Sequence, residues 1–340
     1  MRRGAILLLA VIGAAQPAFA CAPAPHAGEE VNVVEESAVI VWEPATKTQH
    51  FIRRATFHGT AKDFGFLVPT PTAPALAEVD DQLFDVLDTK TARKTVYKTS
   101  RAIEWTPLFL YFARVKSAEN ATAGRAPVEV LDTKRIAGYE AVVLDATDAS
   151  ALSRWLGEHG YATTPDLAEW LDAYVKQGWK ITAFKIDKSA DVAARTSAVK
   201  MSFQTERPFF PYREPASQRA NAKYDDRRVL RIWFLGPERV KGTIGADTFW
   251  PGVLMWSDRV DSVAGLTIPA NTRLTAFNDV HNVRPGTDDL FFTRDADQSP
   301  HIPPPYVQET VNRTPVPLDV VGLGVVLIGL ATWRWRRRRA

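Results

Sequence analysis

The sequence is poor in cysteine and lacks the short motifs that mark the common enzyme classes. Cys21 is the one cysteine among 340 residues, so no disulfide can form within the chain, and packing alone must hold its folded part together. No Gly-x-Ser-x-Gly, P-loop, dinucleotide-binding or His-Glu-x-x-His motif is present. The strongest sequence signals for a serine hydrolase, a nucleotide-binding enzyme or a zinc protease are therefore absent, and we expect no cofactor.

An excess of positive charge is also missing. The 42 lysines and arginines are nearly balanced by 39 acidic residues, and the net charge of +3 falls to −3 when Arg2, Arg3 and Arg336–Arg339 are set aside. The remaining chain is close to neutral and lacks the electrostatic footprint of a nucleic-acid-binding protein. With 46% hydrophobic and 24% charged residues, its composition is that of a globular protein.

One apolar run near the C terminus predicts a transmembrane helix. No residue from Val320 to Trp333 is charged, and a helix from Val316 to Trp335 would be about 30 Å long at about 1.5 Å per residue. The arginines of the basic tip 336–340 predict that this tip is cytoplasmic. We therefore expect a single-pass protein of the bacterial cytoplasmic membrane, with its larger N-terminal domain on the periplasmic side.

The first 20 residues are typical of a secretory signal peptide. Met1–Arg3 is basic, Ala5–Ala15 is apolar, and Ala18–Ala20 has the small-x-small pattern of a cleavage site. Cleavage after Ala20 would make Cys21 the first mature residue and a candidate for lipidation. Ordinary cleavage with a free terminal thiol is the alternative, because Ala18 and Phe19 fit the lipidation pattern poorly.

The predicted C-terminal helix is either retained as an anchor or removed by processing. A glycine-bearing apolar helix followed by an arginine cluster is similar to bacterial sorting signals that are cut and replaced. Val316-Pro-Leu318 matches the proline-glutamate-proline form of such signals only in part. Retention and processing of the helix both stay open.

Between residues 21 and 298 the periodicities predict an α+β domain with a largely antiparallel sheet. Val31–Glu43 and Thr48–His58 are rich in β-branched residues and predict a long hairpin. Two packed helices are predicted within about 148–178, begun by Asp148 or Ser150 and by Thr164. Strand patterns dominate afterwards, so two subdomains with a boundary near 190–200 are an alternative to one domain.

A proline-rich stalk is predicted between this domain and the membrane helix. Six prolines lie between Ser299 and Pro317. The stalk is assigned to residues 299–315. In polyproline geometry, at about 3.1 Å per residue, the whole segment Ser299–Pro317 would hold the domain up to roughly 60 Å from the membrane.

Two blocks of this sequence resemble a known bacterial family. Val39–Phe57 and Asp63–Pro71 are similar to the opening of the family named domain of unknown function 2330, as are Cys21-Ala-Pro23 and Trp155–Tyr161. The resemblance implies export and frequently a C-terminal anchor. It implies no activity and no catalytic residues.

Asp279 and His281 form the best candidate for a chemical site. They follow a predicted strand, with Asp288 and Asp289 a short loop later. A carboxylate beside an imidazole is the minimum for metal binding or acid–base work. The alternative is that these residues only end a strand and form a turn.

Two further groups of residues have side chains suited to binding. Phe209, Phe210 and Tyr212 lie in a stiff, proline-containing loop that is either packed on its own domain or an exposed binding surface. His50 and His58 share a face of one predicted strand, but eight residues at about 3.4 Å separate them by roughly 27 Å. We therefore expect no metal site there.

The leading functional hypothesis is a non-enzymatic envelope module that binds a protein or glycan partner and no nucleic acid. The absence of catalytic motifs and the predicted stalk support it. The alternative is an envelope hydrolase with a site near Asp279 and His281.

Overall fold

The computed structural model describes residues 22–26, 29, 31–59, 61, 63–106, 139–145, 148–161, 163–187, 193–214 and 228–339. The predicted signal peptide and Cys21 lie outside the described residues. The chain divides into two compact units, one formed by residues 1–92 and 135–303 and the other by residues 93–134 and 304–340.

The fold is mixed α+β, as predicted, and rich in strands. The strands are β1 (Ala22–Pro25), β2 (Val31–Glu43), β3 (Thr48–Gly59), β4 (Asp63–Thr70), β5 (Ala75–Glu78), β6 (Thr95–Thr106), β7 (Tyr139–Leu144), β8 (Lys180–Asp187), β9 (Ala193–Arg195), β10 (Val199–Gln204), β11 (Phe209–Phe210), β12 (Val229–Gly236), β13 (Val240–Ile244), β14 (Thr248–Phe249), β15 (Val253–Arg259), β16 (Arg273–Asp279), β17 (Leu290–Arg294) and β18 (Tyr306–Pro317). The helices are α1 (Gln82–Thr91), α2 (Ala149–Glu158), α3 (Pro165–Val175) and α4 (Leu318–Arg337).

The long hairpin β2–β3 lies at the centre of the largest sheet of the first unit. The strand order is β15-β16-β12-β2-β3-β10-β5, with β9 also paired to β3. The hairpin turns at Lys47, whose φ of 51° lies in the left-handed region. Neighbours in this sheet run antiparallel except β2 and β12, which are parallel.

The inner face of this sheet packs against two four-stranded sheets, ordered β1-β4-β8-β7 and β11-β17-β13-β14. Alternate residues of each strand point inward, as the two-residue period of a strand requires. The resulting core is aromatic, and its members include Phe51, Phe57, Phe66, Phe210 and Phe292.

Helices α2 and α3 begin where local sequence signals place them. The side chain of Asp148 accepts from the Ala151 amide at 2.6 Å, and that of Thr164 accepts from the Leu167 amide at 3.2 Å. Their apolar residues share a cluster with β4 and β8. The expectation of two packed helices and one C-terminal helix is incomplete, since the described residues hold four helices and α1 was not among those expected.

The opposite face of the large sheet is covered by helix α1 and the chain around residues 260–268. Leu83, Phe84 and Leu87 of α1 are buried there beside Trp233 of β12. The indole of Trp233 donates to Thr91 Oγ1 at 3.1 Å, which joins the end of the helix to the sheet.

In the second unit, β18 pairs in parallel with β6 over Tyr306–Pro317. The expected polyproline stalk is therefore a β-strand over that range. The reason is that four of the six prolines lie at residues 300–305, which leaves the β-branched residues after Tyr306 free to form a ladder.

Helix α4 begins at Leu318, two residues later than predicted. Val316 and Pro317 stay in β18, because a residue before proline favours extended backbone. Among the helices that the structure describes, none combines the length and the apolar character needed to cross a bilayer.

Candidate functional site

The four predicted acid–base residues lie at the end of β16 and in the loop before β17. Asp279 is the last residue of β16, and Asp288 and Asp289 directly precede β17. Two of these residues, Asp279 and Asp289, are buried. The segment Tyr212–Glu214 follows β11 and packs against both of them. The fold therefore brings together residues that are far apart in the chain.

Asp279 is fully buried and accepts four hydrogen bonds. Its Oδ2 accepts from the Tyr212 hydroxyl at 2.8 Å and from the Trp250 indole at 3.1 Å. Its Oδ1 accepts from the backbone amide and the Nδ1 of His281, at 3.0 and 3.1 Å. Both carboxylate oxygens are thus occupied, and the bonds from Tyr212 and Trp250 join β16 to other parts of the fold.

The environment of Asp279 keeps this carboxylate ionised. Burial alone would raise its pKa, but the nearby Arg284 guanidinium and the hydrogen bonds from His281 and Tyr212 outweigh burial, so its pKa is lowered. Arg284 Nε lies 3.8 Å from Asp279 Oδ2, and the Arg284 side chain is itself buried. A carboxylate held in this form is suited to structure and does not readily donate a proton.

Asp289 is the second buried carboxylate. Its Oδ1 accepts from the Tyr174 hydroxyl at 2.7 Å and from the amides of Tyr212 and Arg213 at 3.1 and 3.2 Å. Burial raises its pKa to about 6, although these hydrogen bonds oppose the rise. Asp289 therefore connects helix α3 to the chain after β11.

His281 and Asp288 are the accessible members of the predicted site. The side chain of His281 is about half exposed, and its Nδ1 contacts Asp279. Asp288 accepts from Arg213 Nη2 at 2.7 Å. The exposed part of the cluster thus offers one imidazole and one carboxylate that is already paired.

The aromatic residues proposed as a binding surface are buried. Phe209, Phe210 and Tyr212 belong to the main core and are at most 1% exposed. The Gln49 side chain bonds both the amide and the carbonyl of Phe209, at 2.9 Å each. An exposed aromatic surface at these residues does not match the structure, because the loop packs against its own sheets.

Sequence reasoning missed two buried ion pairs near this cluster. Arg228 Nη2 donates to Glu214 Oε1 at 2.5 Å, and Arg53 Nη2 donates to Glu36 Oε1. Each partner is less than one tenth exposed. The one available signal was a charged residue at an inward position of a strand, such as Arg53 between Phe51 and Ala55 in β3.

A polar cleft on the outer side of the large sheet is a second candidate site. It has a volume of about 880 Å³, including its open mouth, and lies in the first unit. Its polar lining includes Glu43, His50, Glu78, Asp80 and Lys200. These side chains come from β2, β3, β5, β10 and the segment before α1, so the sequence alone did not indicate a shared site.

Some polar side chains of the cleft are held by neighbouring side chains, and others are free to contact a ligand. His50 Nδ1 lies 2.8 Å from Ser202 Oγ, and His50 Nε2 lies 3.3 Å from Glu43 Oε1. The side chains of Glu78 and Lys200 make no hydrogen bond or ion pair with another described side chain. They can therefore bind a polar ligand without breaking an existing contact. No group of three acidic, histidine or cysteine side chains among the described residues is arranged to hold a metal ion.

A comparison with known families matches residues 14–277 to the model described as an uncharacterized protein conserved in bacteria (DUF2330). The chain belongs to the DUF2330 family. The resemblance of Val39–Phe57 and Asp63–Pro71 to this family is thereby confirmed. No curated protein matches the chain. The matched region of this DUF2330 member contains the whole cleft but ends before Asp279.

Among solved structures, the crystal structure of baculovirus P35 is similar to 78% of this chain and 98% of its own, with 8% identity and a TM-score of 0.39. A similarity at that TM-score carries no argument about function.

Proposed function

We propose that this DUF2330 protein is a non-enzymatic binding module of the bacterial envelope. The observation that supports the proposal is the burial and hydrogen bonding of the Asp279 and Asp289 carboxylates. Both are buried, and seven hydrogen bonds from side chains and backbone amides converge on them. A general acid or base must reach the proton that it transfers, and neither carboxylate is accessible to a substrate.

The cleft is the surface that we propose for binding. It is concave, and its lining mixes the carboxylates of Glu43 and Glu78 with the ammonium group of Lys200. Apolar contacts come from Val41, Val79 and Leu266. A concave site whose charged groups of both signs lie beside a smaller apolar wall suits a glycan or a short polar peptide, which offer hydroxyl or amide groups and some apolar surface.

Export and attachment to the cytoplasmic membrane are part of the proposal. They rest on the signal-peptide pattern of residues 1–20 and on the uncharged run Val320–Trp333, which is followed by arginines. In helix α4 the large apolar side chains of this run are exposed, as expected of a segment whose apolar partner lies outside the chain.

Fractionation of cells tests the attachment. The full chain should sediment with membranes after a carbonate wash, whereas a chain ending at Pro317 should be released. Recovery of both forms in the soluble fraction would contradict attachment through residues 316–335. Detection of the intact Arg336–Arg339 peptide in the mature protein would exclude processing as a sorting signal.

Photo-crosslinking in cells tests the binding function. A photoreactive residue in place of Thr267, at the cleft, should capture one recurrent envelope protein or glycan. Thr293 is an exposed threonine outside the cleft and supplies the matched control. Lys200→Ala should weaken capture from position 267. Equal capture from both positions, or none from position 267, would contradict the assignment of the cleft.

The hydrolase hypothesis keeps one supporting observation, which is the accessible imidazole of His281 beside Asp279. His281→Asn separates the two functions because this side chain is about half exposed and the backbone amide of residue 281 still donates to Asp279. If a turnover were measured and His281→Asn abolished it without loss of stability, the binding-module proposal would be wrong.

A further inference from the structure

Strand β5 forms one edge of the large sheet and borders the outer cleft. It pairs with β10 on one side and has no strand partner on its other side among the described residues. All four residues of Ala75–Glu78 are exposed to solvent. The chain from Glu78 to Asp80 then forms part of the cleft wall. The cleft therefore continues into an accessible strand edge, where the backbone itself can bind a partner.

The hydrogen-bond pattern of β5 shows which backbone groups face the open edge. The Val79 amide donates to the Ala198 carbonyl at 3.3 Å, so residue 79 faces the β10 side. Residues of an antiparallel pair alternate between bonding the partner strand and pointing away from it, so the N–H and C=O groups of Leu76 and Glu78 point outward. In the part of the chain that the structure describes, no backbone group bonds to them. They can therefore hydrogen-bond a further strand.

The spacing of these groups favours a peptide over a glycan. An extended peptide has amide and carbonyl groups at the same spacing as β5, whereas a glycan has no such regular array. Every second side chain of a peptide beside β5 would point to the face of the sheet that holds the cleft. Lys200 of β10 marks that face, since it lies opposite Ala77 and lines the cleft. One peptide can therefore contact the strand edge and the cleft together.

The charges of the cleft select the kind of peptide. Carboxylates from Glu43, Glu78 and Asp80 line it, against the one ammonium group of Lys200. Asp80 already accepts from the Gln82 amide at 2.9 Å, whereas the Glu78 side chain makes no hydrogen bond or ion pair with another described residue. A lysine or arginine of the peptide would meet an excess of negative charge, and a glutamate would be repelled.

We propose that the edge of β5 and the cleft together bind an extended segment of a partner protein, which adds to the large sheet as a strand and places a lysine or arginine side chain in the cleft. The inference rests on the proposed function and narrows it, because it names the ligand as a basic peptide segment in preference to a glycan. The backbone groups of Leu76 and Glu78 supply the hydrogen bonds, and the cleft carboxylates supply the preference for positive charge.

Selection from a random peptide library on the purified full chain tests the ligand class. Bound peptides should be enriched in lysine or arginine flanked by β-branched residues, which favour the extended conformation. Replacing the basic residue of a selected peptide by glutamate should weaken its binding about tenfold or more. Selection of no peptide, or of peptides without a basic residue, would overturn the proposal. If a glycan were still captured from position 267, the binding function would stand and only this ligand class would be wrong.

A variant of the strand edge tests the mode of binding. Leu76→Pro removes an N–H that points away from β10, and proline is tolerated on the open side of an edge strand. It should weaken binding of a selected peptide about tenfold, whereas Leu76→Ala keeps the N–H and should stay within about threefold of the wild type. Equal affinities of the two variants would contradict strand addition. If Leu76→Pro does not fold, hydrogen exchange of the wild type decides, because the bound peptide must slow exchange of the Leu76 and Glu78 amides.

A charge variant of the cleft tests the preference for a basic residue. Glu78→Gln removes one exposed carboxylate and should weaken a selected basic peptide about threefold or more at low salt. The difference should shrink at high salt, because exposed charges are then screened. Glu158→Gln, at an exposed carboxylate of α2 outside the cleft, is the matched control and should bind as the wild type does. Equal affinities of the two variants at low salt would contradict the role of the cleft charges.

Discussion

Replacing Asp279 by asparagine tests the structural role of this carboxylate. The two side chains have the same shape, so the change removes the charge and turns one accepting oxygen into an NH2 donor. The Tyr212 hydroxyl can rotate to accept from that donor. The Trp250 indole and the His281 amide only donate, so one of the present hydrogen bonds must be lost. Arg284, which is buried and 3.8 Å away, also loses its opposite charge.

The expected loss of stability follows from removing one partner of the buried ion pair between Asp279 and Arg284. Such changes cost about 3–5 kcal/mol, because the remaining charge stays buried without compensation. For a domain of this size, each 1 kcal/mol lowers the melting temperature by about 2–4 °C. We therefore expect Asp279→Asn to melt roughly 6–20 °C below the wild type.

Urea denaturation of the wild type and the variant measures this loss directly. Asp288→Asn is the matched control, because that side chain is about two fifths exposed and makes one ion pair, with Arg213. An exposed pair of this kind contributes about 1 kcal/mol or less. If Asp279→Asn cost no more than Asp288→Asn, the structural role of Asp279 would be refuted.

The pH dependence supplies an independent check. The pKa of Asp279 is lowered in the folded chain, so its stabilising effect is fully present above the unfolded pKa of about 3.9. The effect is lost as the pH falls through the lower, folded pKa. The stability difference between wild type and Asp279→Asn should therefore be constant near neutral pH and shrink only below about pH 4.

Two further variants test other contacts. Tyr174→Phe removes the 2.7 Å hydrogen bond to Asp289, so the buried carboxylate loses a donor. The free energy of unfolding, measured by urea denaturation, should fall by about 1–3 kcal/mol. An unchanged stability would show that the bond is dispensable. The pKa of His26 is raised by the Gly160 carbonyl and then by Asp63, so its stabilising effect is present below about pH 6.5 and is lost as the pH rises through the folded pKa. The urea midpoint of the wild type should therefore exceed that of His26→Gln by more at about pH 5.5 than at about pH 8.5, and an equal difference at both would contradict this role.

Local signals explain which parts of the fold could be predicted. The hairpin of β2 and β3 depends on β-branched runs around a short turn, and the starts of α2 and α3 depend on Asp148 and Thr164, which bond amides three residues away. Interactions over so few residues are present in the sequence itself. The same reasoning failed after Tyr306, because the partner that makes this segment a strand is β6, about 200 residues earlier.

In the candidate site, too, local features could be predicted from the sequence and contacts between distant residues could not. The sequence by itself determined that Asp279 and His281 are neighbours at the end of a strand, that common catalytic motifs are absent, and that the chain belongs with a bacterial family of unknown activity. Only the tertiary structure decided that Asp279 is a buried acceptor, since its donors Tyr212 and Trp250 are 67 and 29 residues away. It likewise placed Arg53 beside Glu36. Burial and the partner of a charged group depend on how distant strands pack, and no pattern along one strand contains that information.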